Sequence, residues 1–326
     1  MEKHRGPGKA NREGISILEL STLFPDEDTA AAWFEALVWP DGRQCPRCGC
    51  TDTRETAATA GLPYHCRGCG KGFSVRIGTA LERSKVPLRK WVFAIYLEMT
   101  SLKGVSSMKL HRDIGVTQKT AWFMLHRIRE AWGEEQQEAF SGPVEADEAY
   151  FGGLRANMHK DRRRELTGRG TVGKTAVAGM KDRNTNRVAA QVVPATDGET
   201  LQAFVRDHAE AEAVVYTDEH RAYAGLSPDY NHEAVQHSVG EYVRGQAHTQ
   251  GIESFWSMLK RAHKGVYHKL SPKHLDRYVR EFAGRHNVRG LDTLDQMATV
   301  AVGLVGKRLM YRQLIADNGL DSGARS

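Results

Sequence analysis

The chain has 326 residues, 40% of them hydrophobic and 26% charged, with 46 Lys and Arg against 40 Asp and Glu for a net charge of +6. That apolar content excludes a disordered or collagen-like chain and a disulfide miniprotein, and the length fits about two to three folded units. The longest apolar run, Met297 to Val305, is about half of what a membrane span needs, so no membrane partner is expected, while the excess of positive charge favours a polyanion.

Residues 1–14 read as a basic tail with no apolar leader behind it, which points to a cytoplasmic, nucleoid-associated protein. From Ile15 to Trp39 the spacing of Leu18, Phe24, Trp33, Ala36 and Leu37 predicts a helical entry segment, so residues 1–40 form tail and entry helix. Cys45-Pro-Arg-Cys48 and Cys66-Arg-Gly-Cys69 follow, separated by seventeen residues. Two such knuckles joined by a short hairpin supply four thiolates to one tetrahedral Zn²⁺, which predicts a structural zinc ribbon over 41–76. Cys50 is left as a free thiol, and a redox pair or disulfide is the alternative use of the cysteines.

Helical spacing resumes at Pro87 through Trp91, Ile95 and Met99. Ser106 to Asp113, a Gly115-Val116 turn and a Thr117-capped second helix bearing Ala121, Trp122, Leu125 and Ile128 give a helix-turn-helix pattern within 77–140. Its second helix is expected to expose Lys119, His126, Arg127 and Arg129 to DNA, although a plain helical spacer has the same amphipathicity. After Gly142-Pro143, short β-like runs at Val144–Phe151, Ala176–Met180, Val188–Val193 and Ala213–Thr217 predict strands. Helices are expected at Glu199–His208, His248–His263 and Pro272–His286. Residues 141–290 thus read as an α/β sheet domain, and 291–326 as a helical tail with an apolar stripe for packing or self-association.

Three acids stand out in that domain: Asp147 in VEADEAYFGG, Asp218 after the strand ending at Tyr216 and Thr217, and Glu253 on a helix whose apolar stripe is Ile252, Phe255, Trp256 and Leu259. Two strand aspartates and a helix glutamate make a hard oxygen set suited to Mg²⁺ or Mn²⁺, and two such ions would drive an in-line phosphoryl displacement without a covalent enzyme nucleophile. Glu148 and Glu219 adjoin the aspartates, but strand alternation turns each to the opposite face. Lys260 follows Glu253 by two helical turns and shares its face. Between the first two acids, Arg155, Lys160, Arg162, Arg163 and Arg164 against Asp161 suggest a loop that holds the DNA backbone.

CPRC…CRGC, GVSSMKLHRDIGVTQKTAW, DEAYFGG, YTDEHRAY and HTQGIESFWSMLKRAHKGVYH, in this order over nearly the whole chain, resemble the DDE transposases of the IS1595 (ISXO2-like) family of bacterial insertion sequences. The resemblance implies an RNase H-like, retroviral integrase-like catalytic domain, with Asp147, Asp218 and Glu253 as catalytic Mg²⁺ ligands and Lys260 on DNA or phosphate. It also implies double-stranded DNA, as element ends and target, for a partner, and a homo-oligomer that joins two ends. Two other readings use the same residues: a transposase-derived DNA-binding regulator that no longer cuts, and a nuclease that hydrolyses without joining.

Overall fold

Phe24-Pro25 interrupts the entry segment, so it folds as two helices, α1 (Ile17–Leu23) and α2 (Glu27–Val38), rather than one. Proline has no amide to donate and disfavours helix in the residue before it. Each helix carries its own cap: Ser16 and Glu19 form a capping box on α1, and the Asp26 carboxylate accepts the Thr29 amide at 2.8 Å on α2. The computed structural model describes residues 12–59, 61–133, 138–153, 160–165, 170–235 and 248–320. They fall into two compact units, Met1–Gly133 with Val288–Ala316, and Glu134–Asn287 with Asp317–Ser326. No helix among the described residues is long and apolar enough to cross a membrane.

In the first unit, β1 (Thr53–Thr59), β2 (Leu62–Cys66) and β3 (Gly72–Phe73) form an antiparallel sheet in the order β1-β2-β3. Phe73 and Tyr64 of that sheet meet Trp39 edge-on at ring distances of 5.9 Å each, an aromatic floor that ties the sheet to the end of α2. Next come α3 (Leu88–Thr100), α4 (Ser107–Ile114) and α5 (Gln118–Ile128). Gly115, in the left-handed region at φ 61°, ends α4, and the Thr117 hydroxyl caps α5, so a short turn joins two helices. Trp91, Ile95, Leu110, Met124, Leu125 and Ile128 bury the shared core.

The second unit is built on a five-stranded sheet. It contains β4 (Val144–Phe151), α6 (Lys160–Glu165), β5 (Thr175–Asp182), β6 (Val188–Val193), α7 (Gly198–His208), β7 (Val214–Asp218) and β8 (Asn231–Val235), in sheet order β6-β5-β4-β7-β8. β4 pairs antiparallel with β5 along its whole length and parallel with β7 at its start, where Val144 faces Val215 and Glu145 faces Tyr216; β8 extends the sheet in parallel beyond β7. Alternation along β4 sends Val144 and Ala146 into a core with Leu201 and Phe204 of α7, and Ala149 and Phe151 into a core on the other face. That other core is closed by α8 (Gln250–Ala262), a π-helical turn His263–Tyr267, and α9 (Pro272–Asn287), which lies over β6. The chain then returns to the first unit with α10 (Thr293–Gly303) and α11 (Tyr311–Ile315), and Met297 and Val300 complete that unit's core.

Candidate functional site

The four knuckle cysteines converge. The sulfurs of Cys45, Cys48, Cys66 and Cys69 all lie within 4.8 Å of one another, with Cys45–Cys69 at 3.8 Å and Cys48–Cys66 at 3.6 Å. Four thiolates at about 2.3 Å around a tetrahedral Zn²⁺ stand about 3.8 Å apart, so the cage has the size of the ion. Each knuckle turns through a glycine in the left-handed region, Gly49 at φ 71° and Gly70 at φ 66°, whose amides donate to the Cys45 and Cys66 carbonyls. The Cys69 amide also donates to the Cys66 sulfur at 3.5 Å, and this bond, with those from neighbouring thiols, lowers the pKa of the Cys66 thiol, while burial and the same thiol contacts raise that of Cys48. Cys50 points its thiol at the Asp52 carbonyl and stands outside the cage.

In the second unit the three candidate acids lie on elements that pack together, β4 pairing with β7 and α8 lying on β4, although among the described residues only the four cysteines bring ligand atoms within 4.8 Å of one another. Asp147 sits mid-strand on the face of β4 that α8 covers, and Trp256 of α8 donates its indole N–H to Asp147 Oδ2 at 3.1 Å. Trp256 can lie this close to the sheet because residue 179 of β5 is glycine; a Cβ there would stand 2.4 Å from the indole Cζ2. Asp218 ends β7, where its carboxylate receives the His220 amide at 3.0 Å. Glu253 lies in the first turn of α8, exposed, with the Thr249 hydroxyl 3.3 Å from its Oε1.

Burial, and then the charges of Glu148, Asp218 and Glu253, push the Asp147 carboxyl up to about 7. Burial is the larger cause, and the neighbouring negative charges add to it. Carboxylate oxygens are the ligand type that Mg²⁺ takes. Glu148 does point to the other face of β4, as alternation requires: its Oε2 accepts the Tyr223 hydroxyl at 3.2 Å and His220 Nδ1 lies 4.0 Å from Oε1. Its charge nevertheless reaches both aspartates, and burial and Asp218 in turn raise its own pKa. Alternation alone misses this, because direction is not distance. Glu219 is exposed.

The residues expected to meet DNA divide. Lys119 is exposed in the first turn of α5, its ammonium 4.6 Å over the Tyr311 ring, and Lys260 is exposed on α8. Arg163 and Arg164 are exposed on α6, while the side chain of Arg162 and all of Arg155 lie outside the described residues. The expected exposure of His126, Arg127 and Arg129 is corrected: they are 0%, 7% and 3% exposed. Arg127 Nε donates to the Leu309 carbonyl at 3.3 Å with its guanidinium 4.4 Å over Phe123, and Arg129 Nη2 stands 3.6 Å from the buried Glu98 of α3. The second half of α5 is enclosed by chain distant in sequence, which its own periodicity cannot reveal.

Residues 139–287 match the ISXO2-like transposase domain family, and residues 25–72 match the transposase zinc-ribbon domain. An uncharacterized protein in the transposable element ISH50 of Halobacterium salinarum is 31% identical over 278 residues, covering 81% of this chain and 92% of the relative. An uncharacterized transposase-like protein of Haemophilus influenzae is 28% identical over 102 residues, 31% of this chain and 81% of that one.

Proposed function

Because the chain belongs to the ISXO2-like, IS1595 family of insertion-sequence transposases, we propose that it cuts its element's ends and joins them to target DNA through a metal site at Asp147, Asp218 and Glu253. The observation that carries the reading is the hydrogen bond from Trp256 to Asp147, which fixes the helix bearing Glu253 on the strand bearing Asp147, next to the strand that ends at Asp218. An RNase H-like fold is supported by the strand order β6-β5-β4-β7-β8, in which an antiparallel meander continues into two parallel strands. We assign the ribbon to 41–76, the helix-turn-helix region to 77–140, the catalytic domain to 141–290 and a helical tail to 291–326.

In the first step, water attacks the phosphorus at the 3′ end of the element; the P–O3′ bond breaks and the 3′-oxygen takes up a proton. In the second, that 3′-hydroxyl loses its proton as its oxygen bonds a target phosphorus, and a target 3′-oxygen leaves. Asp147, Asp218 and Glu253 would hold Mg²⁺, which when bound would supply a Lewis acid for the phosphate and for the attacking and leaving oxygens. The chain's own part is to hold and aim the ligands. Trp256 fixes one oxygen of Asp147, the His220 amide fixes one of Asp218, and Thr249 holds Glu253 at the start of its helix. Lys260 extends the face of Glu253 toward a phosphate backbone, and Lys119, Arg163 and Arg164 add exposed cations for double-stranded DNA. Two ends must be joined, so the working form is a homo-oligomer, and Zn²⁺ in the ribbon is structural.

The test is a Mg²⁺-dependent cleavage and strand-transfer assay on duplex ends taken from the DNA flanking the gene. Cleaved and joined products from wild type but not from Asp147→Ala support the reading. Hydrolysis without joining would leave a nuclease, and binding without cleavage in both would leave a DNA-binding regulator.

A further inference from the structure

Glu145 stands two residues before Asp147 on β4, so the pleat turns both toward α8, and it is 2% exposed. A carboxylate buried that deeply needs partners, and each of its oxygens has one from a different element. Oε1 accepts Arg183 Nε at 2.7 Å, with His248 Nδ1 3.4 Å away, and Oε2 accepts the backbone amide of Ile252 at 2.9 Å. Arg183 projects from the β5–β6 turn, which Asp182 folds by accepting the Asn184 and Thr185 amides at 2.7 and 3.0 Å. Its Nη2 donates to the His248 carbonyl at 2.6 Å and its guanidinium lies 4.2 Å over Tyr216. The same pair thus grips both the approach to α8 and its first turn.

The Ile252 amide is one of the helix-start donors that have no partner within a helix, and a carboxylate there is favoured by the helix dipole as well. Thr249, at the N-cap of α8, makes no side-chain cap bond and contacts Glu253 instead, so the cap comes from the sheet. Gly251 makes room for it: a Cβ there would stand 2.7 Å from Glu145 Oε2 and 3.0 Å from Lys181 Nζ.

We propose that Glu145 and Arg183 are positioning residues of the acid site, clamping the first turn of α8 to β4 so that Glu253 is held in place against Asp147. The inference rests on the metal-site reading above. Neither residue touches substrate; the clamp sets the helix start, and the Trp256 bond to Asp147 fixes the same helix one turn later.

Two variants of the full chain test it, beside wild type and Asp147→Asn. Glu145→Gln keeps the volume but turns an amide NH₂ toward one of two donors. Gly251→Ala leaves the charge in place, favours helix in isolation by about 1 kcal/mol, and forces the Glu145 carboxylate off the Ile252 amide. Mn²⁺ binding is read from the spin-resonance signal of the free ion, with kcat and KM for the DNA end measured separately and folding checked by thermal melting. Both variants should bind Mn²⁺ about 10-fold or more weaker, with kcat lowered and KM for DNA unchanged. Folded variants with wild-type Mn²⁺ affinity and kcat would overturn the clamp, and Gly251→Ala keeps the test open if Glu145→Gln fails to fold. Should wild type and Asp147→Asn bind Mn²⁺ alike, the metal-site reading fails, and the clamp with it.

Discussion

Replacing Asp147 with asparagine should stabilise the metal-free protein, and increasingly so as pH rises. The Asp147 carboxyl is raised from 3.8 to about 7 in the folded protein by burial and by Glu148, Asp218 and Glu253. A raised carboxyl binds its proton more tightly folded than unfolded, so wild type loses stability as pH climbs from about 4 to about 7 and levels off above. At about 1.4 kcal/mol per pH unit the full effect is on the order of 4 kcal/mol, and about 2 kcal/mol of it develops between pH 5.5 and 8.5. The amide introduced by Asp147→Asn does not titrate, and its oxygen can still accept the Trp256 indole N–H, which isolates the charge. The assay is urea unfolding of both proteins across that pH range in magnesium-free buffer, without a chelator that would strip zinc from the ribbon. Mg²⁺ should then stabilise wild type alone, by about 1.4 kcal/mol at ten times its dissociation constant. A gap between the two proteins that stays constant with pH, or equal Mg²⁺ stabilisation of both, would refute the assignment of Asp147 to a crowded acid cluster.

Cys48→Ser should lose bound zinc and unfold the three-stranded ribbon without altering the second unit; metal analysis and near-ultraviolet dichroism check it, and a full zinc complement would count against the cage. Gly179→Ala should cost about 1–3 kcal/mol, because the new methyl meets the Trp256 indole at 2.4 Å, and thermal melting reads the loss. Arg127→Ala should lower stability and leave the salt dependence of DNA binding unchanged, since its guanidinium is buried on Phe123 and Leu309. Lys119→Ala should do the opposite, leaving stability near wild type and reducing the salt slope by about one, measured by titrating a labelled DNA end at several salt concentrations.

What could be read along the chain was what local spacing enforces. The two knuckles fix a four-sulfur cage because two short turns joined by one hairpin have few ways to close, and the sulfurs do converge. Strand β4 begins at Val144 and ends at Phe151, as its β-like run between Gly142-Pro143 and Gly152-Gly153 indicates, and the stripe Ile252, Phe255, Trp256, Leu259 is buried as the 3.6-residue period requires. Asp147, Asp218 and Glu253 were legible as candidates because each follows or punctuates such a pattern.

The tertiary structure decided everything that depends on a neighbour remote in sequence. β8, with its polar Asn231, His232 and Glu233, carries no strand pattern and pairs only because β7 offers it an edge. Arg127 and Arg129, at and just past the end of α5, look like a basic face until Leu309 and Glu98 enclose them. Glu145 and Glu148 flank Asp147 in one short strand, yet one caps a helix 107 residues away and the other adds its charge to the acid cluster. Periodicity reports which way a side chain leaves its own element; the partner that gives a buried charge its role comes from chain folding, and no local pattern encodes it.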